Sequence, residues 1–236
     1  MTESTKQQLI EWAEKYNDPL YFEEDPIAFP REFVRRGASL QDIEIAAVFA
    51  AYFAWGRRPM IVRDCERLFD HMEWKPFDYV NSGCYRNDAT SIHRTAKWCD
   101  VASICRRLRE WYHWHPSLEG LSVREMRATI FGQKDDPHSP DKKINMMRRW
   151  MVRNDGKVDL GLWEDTPADS LIIPLDTHVH AQALELGLTS RRQKDLRTAL
   201  EITDAFRGIF PDDPAKGDFA LFGYGIDSAR RQDERD

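Results

Sequence analysis

The segment LIIPLDTHVHAQALELGL, residues 171–188, holds residues whose types and spacing suit chemistry. Asp176 follows five mostly apolar residues, and His178 and His180 stand at alternate positions after it. If the segment is a barrel strand, both imidazoles point to one side and make a metal site, which needs further ligands on other strands. If it starts a helix, Asp176 or Thr177 is the N-cap, and the imidazoles point about 200° apart and do not chelate together.

The rest of the chain favours the helix, because it offers no set of parallel strands to supply further metal ligands. We therefore predict no metal site and no other cofactor, and a helix that ends at Gly187. The free amides and the dipole at a helix start stabilise the Asp176 carboxylate as an anion. Most aspartates at such positions only cap the helix, so a chemical role depends on neighbouring residues.

Helical periodicity dominates the chain and predicts a mainly α fold. Apolar residues on every face of residues 40–55 predict a central buried helix that Gly56 ends. Further helices are predicted at 3–16, 59–72, 99–114, about 122–131, 141–153 and 195 to about 210. Loops are predicted at DPLYFEEDPIAFP (18–30), GQKDDPHSP (132–140) and NDGKVDLGLWEDTPADS (154–170).

Composition narrows the class of protein. Of 236 residues, 42% are hydrophobic and 31% charged, which is typical of a globular protein. No apolar run approaches the roughly 20 residues of a membrane helix, and MTESTKQQLIEW lacks signal-peptide features. We expect a cytoplasmic monomer without a membrane partner, its four scattered cysteines reduced. The net charge of −6 argues against a general polyanion binder, but basic residues concentrate in 124–157 and suit nucleic acid on one face.

The order of these segments resembles the helix-hairpin-helix superfamily of DNA glycosylases. In that superfamily a V-D-T-H-V/I-like segment carries the essential aspartate, and the lysine of a K-x-x-N-like turn opens the second helix of the hairpin motif. These positions are Asp176 and Lys142 here, with Asn145 in register. The stretch DIEIAAVFAAYFAWGRR resembles the early buried helix whose C-terminal end approaches the flipped base.

Seven segments spread over nearly the whole chain resemble, more closely, a bacterial glycosylase-like family of uncharacterised activity: EEDPIAFP, DIEIA, FAWGRR, INMMRRWMVR, VDLGLW, PLDTHV and DFALFGYG. The resemblance implies one glycosylase-like unit over residues 1–236, built from two helical lobes with the active-site cleft between them. The helix-hairpin-helix region would cover about 122–153, and the segment of the catalytic aspartate about 171–188. The cysteine cluster that holds an iron-sulfur centre in some relatives is absent, so none is expected.

The hairpin and its spacing depart from the superfamily pattern. The superfamily hairpin usually carries L-P-G-V-G, whose glycines let backbone amides meet a phosphate, whereas DDPHSP has no glycine. Phosphate contact would then shift to Lys142, Lys143 and the helix N-terminus. The interval from Lys142 to Asp176 is longer than in endonuclease III-like enzymes, with VDLGLW inserted, and is similar to that of archaeal 8-oxoguanine glycosylases.

The resemblance implies an enzyme that binds double-stranded DNA, flips out a modified or damaged base and cleaves its N-glycosidic bond, leaving an abasic site. Asp176 would stabilise positive charge on the sugar. A neutral Lys142 would displace the base through a Schiff base, with associated AP-lyase activity; a charged Lys142 would bind phosphate while water attacks. A solvated lysine without a role is the alternative for Lys142.

Aromatic and polar residues supply the rest of the expected site. Each aromatic candidate for the base pocket has an alternative interpretation as a core residue. This alternative is least favoured for Trp55, because Trp55 stands next to Gly56. Candidates for the base pocket are Tyr52, Phe53, Trp55, Trp150 and Trp163. Candidates for DNA contact are Lys143, Asn145, Arg149, Arg57, Arg58 and His178.

Two other functions fit the same residues. One is a glycosylase-fold enzyme that modifies thymine-type bases in phage DNA, and the other is a non-catalytic DNA-binding module. The sequence does not name the base, and it leaves open DNA repair or defence against hypermodified phage DNA.

Overall fold

The computed structural model describes residues 2–233 and is mainly helical, as the sequence predicts. In that part of the chain, no helix is long and apolar enough to cross a membrane. A two-stranded antiparallel ribbon pairs β1 (Ser91–His93) with β2 (Ala96–Lys97). Short 3-10 helices cover Pro19–Phe22, Ala168–Ser170 and Pro214–Lys216. The α-helices are α1 (Glu3–Tyr16), α2 (Ala28–Arg35), α3 (Leu40–Phe53), α4 (Arg58–His71), α5 (Pro76–Ser82), α6 (Trp98–Trp114), α7 (Val123–Thr129), α8 (Lys142–Val152), α9 (Thr177–Glu185), α10 (Leu196–Arg207) and α11 (Gly217–Asp233).

The chain divides into two compact units. Unit 1 combines the N-terminal segment up to Tyr21 with the chain from Asp136 onward, so it contains α1 and α8 to α11. In unit 1, α1 packs along α11, and a Cβ on Gly223 would lie 2.1 Å from the Tyr16 ring, so this approach requires glycine. Buried side chains of its core include Leu9, Trp12, Ala13, Tyr16, Ile173, Leu175, Ala183, Ala199, Ile202, Phe206 and Leu221.

Unit 2, Phe22–Asp135, is built around α3. Almost every residue of α3 is buried, as its apolar faces predict. The buried carboxylate of Glu44 accepts hydrogen bonds from the Tyr112 hydroxyl at 2.8 Å, the Ser117 hydroxyl at 2.5 Å and the Leu118 amide at 3.0 Å. A buried charge is tolerated only when it is hydrogen-bonded in this way, so Glu44 ties α3 to the segment after α6.

The elements differ from the sequence prediction mainly at their ends. The predicted loop 18–30 is wrong for its last three residues, because α2 begins at Ala28 and includes Pro30 in its first turn, where the missing N–H is not needed. Helix α3 ends at Phe53, two residues before the predicted end, and Gly56 follows with φ of 110°. Helices α2, α5 and α11 and the β1–β2 ribbon are not predicted by the sequence.

The cysteines carry no disulfide. All four are free, with Cys65 and Cys105 buried and Cys84 exposed. Burial raises the pKa of Cys105 to about 12, so this thiol is protonated and unreactive at neutral pH.

Candidate active site

The opening segment starts a helix. Asp176 is the N-cap of α9, and its Oδ1 accepts hydrogen bonds from the backbone amides of His178 and Val179, each at 2.9 Å. His178 is exposed, whereas His180 is buried with its Nε2 2.8 Å from the Arg191 carbonyl oxygen. The two imidazoles therefore lie in different environments, one in solvent and one in the interior. The described residues contain no group of three or more His, Cys, Asp or Glu that could hold a metal ion.

The apolar approach to Asp176 is anchored inside unit 1. Ile173 and Leu175 are buried, and the Ile173 amide donates to the Thr203 hydroxyl of α10 at 3.0 Å. That hydroxyl in turn donates to the Ala199 carbonyl at 2.7 Å. These contacts hold the chain up to the N-cap, while the Asp176 side chain remains 38% exposed. The carboxylate is thus rigidly placed and still accessible to a ligand.

Lys142, the first residue of α8, lies beside this carboxylate. Its Nζ is 4.0 Å from Asp176 Oδ2, the oxygen that the helix cap does not use. The Lys142 side chain is partly exposed, at 26%. The structure therefore brings together an amine and a carboxylate that are far apart in sequence, and they are the two residues that the motifs single out.

The turn before α8 forms without glycine. Asp141 adopts a positive φ of 41°, a conformation that usually favours glycine and that aspartate tolerates better than most residues. The His138 carbonyl accepts from the Leu196 amide at 2.8 Å, and the Pro140 carbonyl accepts from Asn145 Nδ2 at 2.9 Å. Asn145 is buried at 2% exposure. Its amide supports the turn inside the fold, and this burial disfavours a contact with DNA. The expected contact of Asn145 with DNA stays a prediction.

Lys143, the next residue, is mostly covered by protein. Burial, reinforced by the charge of Lys142, lowers the pKa of Lys143 from 10.5 to about 8. At neutral pH a group with this pKa is neutral in about a tenth of molecules. Lys143 is therefore a second amine with nucleophilic character close to the Lys142–Asp176 pair, as well as a candidate for DNA contact.

Arg149 and Arg153 are buried, and both are held by carboxylates. Arg149 forms ion pairs with Asp218 and, at 3.3 Å, with Asp159. Arg153 pairs with Asp159 at 2.5 Å and with Asp213 at 2.9 Å. These carboxylates neutralise Arg149 inside unit 1, and only 5% of its side chain is exposed, which disfavours a phosphate contact. The expected contact of Arg149 with DNA stays a prediction.

Asp218 is the residue near the site that sequence reasoning missed. It lies at the start of α11, where burial raises its pKa and the negative charge of Asp176 raises it further, while Arg149 and Lys142 oppose these effects. Asp218 is therefore close enough to Asp176 and Lys142 for their charges to affect its pKa. The segment DFALFGYG resembles the bacterial glycosylase-like family, but the sequence alone indicates no role for its aspartate, Asp218.

The aromatic residues predicted for the base pocket divide between the two units. Trp150 and Trp163, each 1% exposed, pack in the interior of unit 1, so they follow the core-packing alternative. In unit 2, Tyr52 and Trp55 are half-buried, and the Arg94 guanidinium lies 4.4 Å above the Trp55 ring. A base pocket that uses Tyr52 or Trp55 stays a prediction.

Arg57 and Arg58 are both exposed, as DNA contact requires. Arg57 is the N-cap of α4 and Arg58 is the first residue of that helix, within unit 2. Arg58 is 3.5 Å from the Asp25 carboxylate, an exposed ion pair of modest strength. Their role in DNA binding stays a prediction.

A family model matches the chain in two overlapping segments, residues 25–134 and 127–227, and its description is "Protein of unknown function (DUF2400)". The chain belongs to this family. The matched residues include Lys142, Asp176 and Asp218, so the candidate site lies within the part that defines membership. No curated protein and no solved structure matches the chain.

Proposed function

We propose that this DUF2400 protein is a DNA glycosylase that flips a modified base out of duplex DNA and cleaves its N-glycosidic bond. The proposal includes a glycosylase fold of the helix-hairpin-helix type, with the hairpin motif in residues 122–153. The observation that carries it is the approach of Lys142 Nζ to Asp176 Oδ2, at 4.0 Å. The two residues open neighbouring helices in the site, and each occupies a motif position that the superfamily uses for chemistry.

Asp176 suits the charge that develops during the reaction. Cleavage of an N-glycosidic bond builds positive charge on the sugar, and a fixed anion stabilises that charge most when it needs no rearrangement. Two backbone amides hold Oδ1 of Asp176 in place. Oδ2 lies 4.0 Å from the Lys142 amine, and 38% of the Asp176 side chain is exposed.

Lys142 suits the role of nucleophile. Its neutral amine forms a bond to C1′ while the bond from C1′ to the base breaks, and the base leaves with the electron pair. Asp176 accepts the proton released by the attacking nitrogen, and opening of the sugar ring gives a Schiff base. If water attacks instead, Asp176 accepts the proton of the water, and an abasic sugar is the product.

The first experiment measures base release from duplexes that each carry one oxidised, alkylated, deaminated or phage-type base. Asp176→Asn keeps an oxygen that caps α9 but loses the charge, so turnover should fall at least about a hundredfold while DNA binding remains. Asp195→Asn is the matched control, because Asp195 caps α10 through the Thr198 amide at 2.9 Å. Its turnover should stay at the wild-type level. Turnover of Asp176→Asn within about tenfold of wild type would remove Asp176 from the mechanism.

Trapping with borohydride identifies the nucleophile. A covalent protein–DNA adduct should form in the wild type and in Lys143→Gln, and it should be lost in Lys142→Gln. An adduct that survives in Lys142→Gln and disappears in Lys143→Gln would assign the attack to Lys143. Base release without any adduct would assign it to water.

The same reactions test the two alternatives. A gain of mass on the DNA without free base would replace base excision by base modification. Binding of every duplex with neither product would leave a non-catalytic DNA-binding module.

A further inference from the structure

A second candidate binding site lies in unit 2, on the exposed face of α6. Arg106, Arg109, Glu110 and His113 follow one another at the spacing of a single helix face. With Tyr85 they line an open pocket of about 530 Å³. This volume is in the range of pockets that hold small organic ligands.

The two arginines indicate that the pocket binds an anionic ligand. Neither Arg106 nor Arg109 forms an ion pair or hydrogen bond with any residue that the structure describes. Elsewhere in the same unit, Arg86 pairs with Asp88 at 2.7 Å, and the exposed Arg124 pairs with Asp135. Two guanidinium groups side by side present several N–H donors in planar arrays, which match the oxygens of a phosphate.

The opposite wall of the pocket contacts Arg109. Gly83 follows α5 with φ of 71°, and a Cβ at this residue would lie 2.6 Å from Arg109 Nη1. The guanidinium therefore packs on the bare backbone of Gly83, whose positive φ favours glycine. The hydroxyl of Tyr85 donates to the Val80 carbonyl, so this ring is also held in one orientation. A preformed site loses less entropy on binding than a flexible surface does.

Trp114 adds an aromatic surface at the rim. It is the last residue of α6, lines the pocket and is 77% exposed. The His113 ring meets it edge-on with centroids 4.5 Å apart, which supports the indole from one side. A large exposed aromatic side chain beside unpaired arginines is the combination with which proteins stack a base and hold its phosphate.

We propose that this pocket binds a nucleotide, with the phosphate on Arg106 and Arg109 and the base stacked on Trp114. Glu110, also in the lining, can accept hydrogen bonds from ribose hydroxyls or from an exocyclic amine. The ligand is a free nucleotide or the 5′-terminal nucleotide of a DNA strand, since both present a 5′-phosphate and a base. The proposal does not depend on base excision at Asp176.

Isothermal titration of the full chain tests the site with adenosine monophosphate, adenosine and inorganic phosphate. The monophosphate should bind with Kd below about 1 mM, at least about tenfold more tightly than adenosine. Arg106→Gln/Arg109→Gln should weaken its binding at least about tenfold. Trp114→Ala should weaken binding of the monophosphate but leave inorganic phosphate unchanged.

The matched control is Arg192→Gln/Arg197→Gln, which removes two exposed arginines from unit 1 and should leave every affinity unchanged. The altered side chains in unit 2 are at the surface, so circular dichroism should show the wild-type melting curve for each variant. A single-stranded tetranucleotide with a 5′ phosphate that binds more tightly than the mononucleotide assigns the site to a strand end, and weaker binding assigns it to a free nucleotide. No binding of the monophosphate at about 1 mM, or equal binding by Arg106→Gln/Arg109→Gln, overturns the proposal.

Discussion

Replacing Lys143 by methionine should stabilise the protein at neutral pH. Burial lowers the pKa of Lys143 from 10.5 to about 8, which means that the fold disfavours its charged form. Each pKa unit corresponds to about 1.4 kcal/mol, so the cost of keeping Lys143 protonated in the folded state is at most about 3.5 kcal/mol. Methionine has a similar length and no charge, and it fills irregular apolar space well.

The sign of the pH dependence follows from proton binding. The unfolded chain keeps Lys143 protonated up to about pH 10.5, whereas the folded chain releases this proton near pH 8. Between these values the unfolded state binds more protons, so the free energy of unfolding contributed by Lys143 rises with pH. Below pH 8 both states are protonated, and the full penalty is present. The advantage of Lys143→Met should therefore be largest at pH 7 and shrink from pH 8 to 10.5.

Urea unfolding at several pH values measures this difference, with Lys134→Met as the control. Lys134 lies in an exposed loop, so its replacement should change stability little at any pH. A second measurement follows acylation of Lys143 by mass spectrometry, and its rate should rise to half-maximum near pH 8. A Lys143→Met variant that is less stable than wild type at pH 7, or a stability difference that does not vary with pH, would refute the assigned burial of the charge.

Two further predictions concern buried carboxylates. Asp159→Asn should lower the free energy of unfolding by about 3 kcal/mol, because Arg149 and Arg153 lose a shared buried counter-ion; urea denaturation checks this, and an unchanged midpoint would contradict it. Glu44→Gln should cost about 1–3 kcal/mol, because an amide cannot accept from all the groups that surround Glu44, including the Leu118 amide. A thermal melt that matches the wild type would show that Glu44 is not needed for packing.

Long periodic segments allowed the fold class to be predicted. Helices α1, α3, α4, α6, α8 and α10 were anticipated, because each carries enough apolar residues at helical spacing to define a buried face. Shorter elements give no such signal. Helix α5 has seven residues and the strands have two or three, so tertiary contacts and not local periodicity determine them.

The candidate site was predictable where a motif identified its residues. Lys142 and Asp176 were predicted together, and the structure brings them within 4.0 Å. The burial of Arg149 was not predictable in the same way, since arginine in a helix usually lies at the surface. Its partners Asp159 and Asp218 come from other segments, and only the fold brings these charges together.

The buried arginines and the candidate site share one helix, and this links stability to function. Arg149 on α8 and Arg153 directly after its end are tied to carboxylates outside that helix, so we infer that the ion pairs limit the rotation of α8 about its axis. Lys142 stands at the start of the same helix, and its position relative to α9 depends on that rotation. Buried ion pairs are often no more stabilising than apolar packing of the same shape. We infer that their role here is orientation, because charge pairs with defined partners hold the start of α8, and with it the Lys142 amine, toward Asp176 more specifically than apolar packing does.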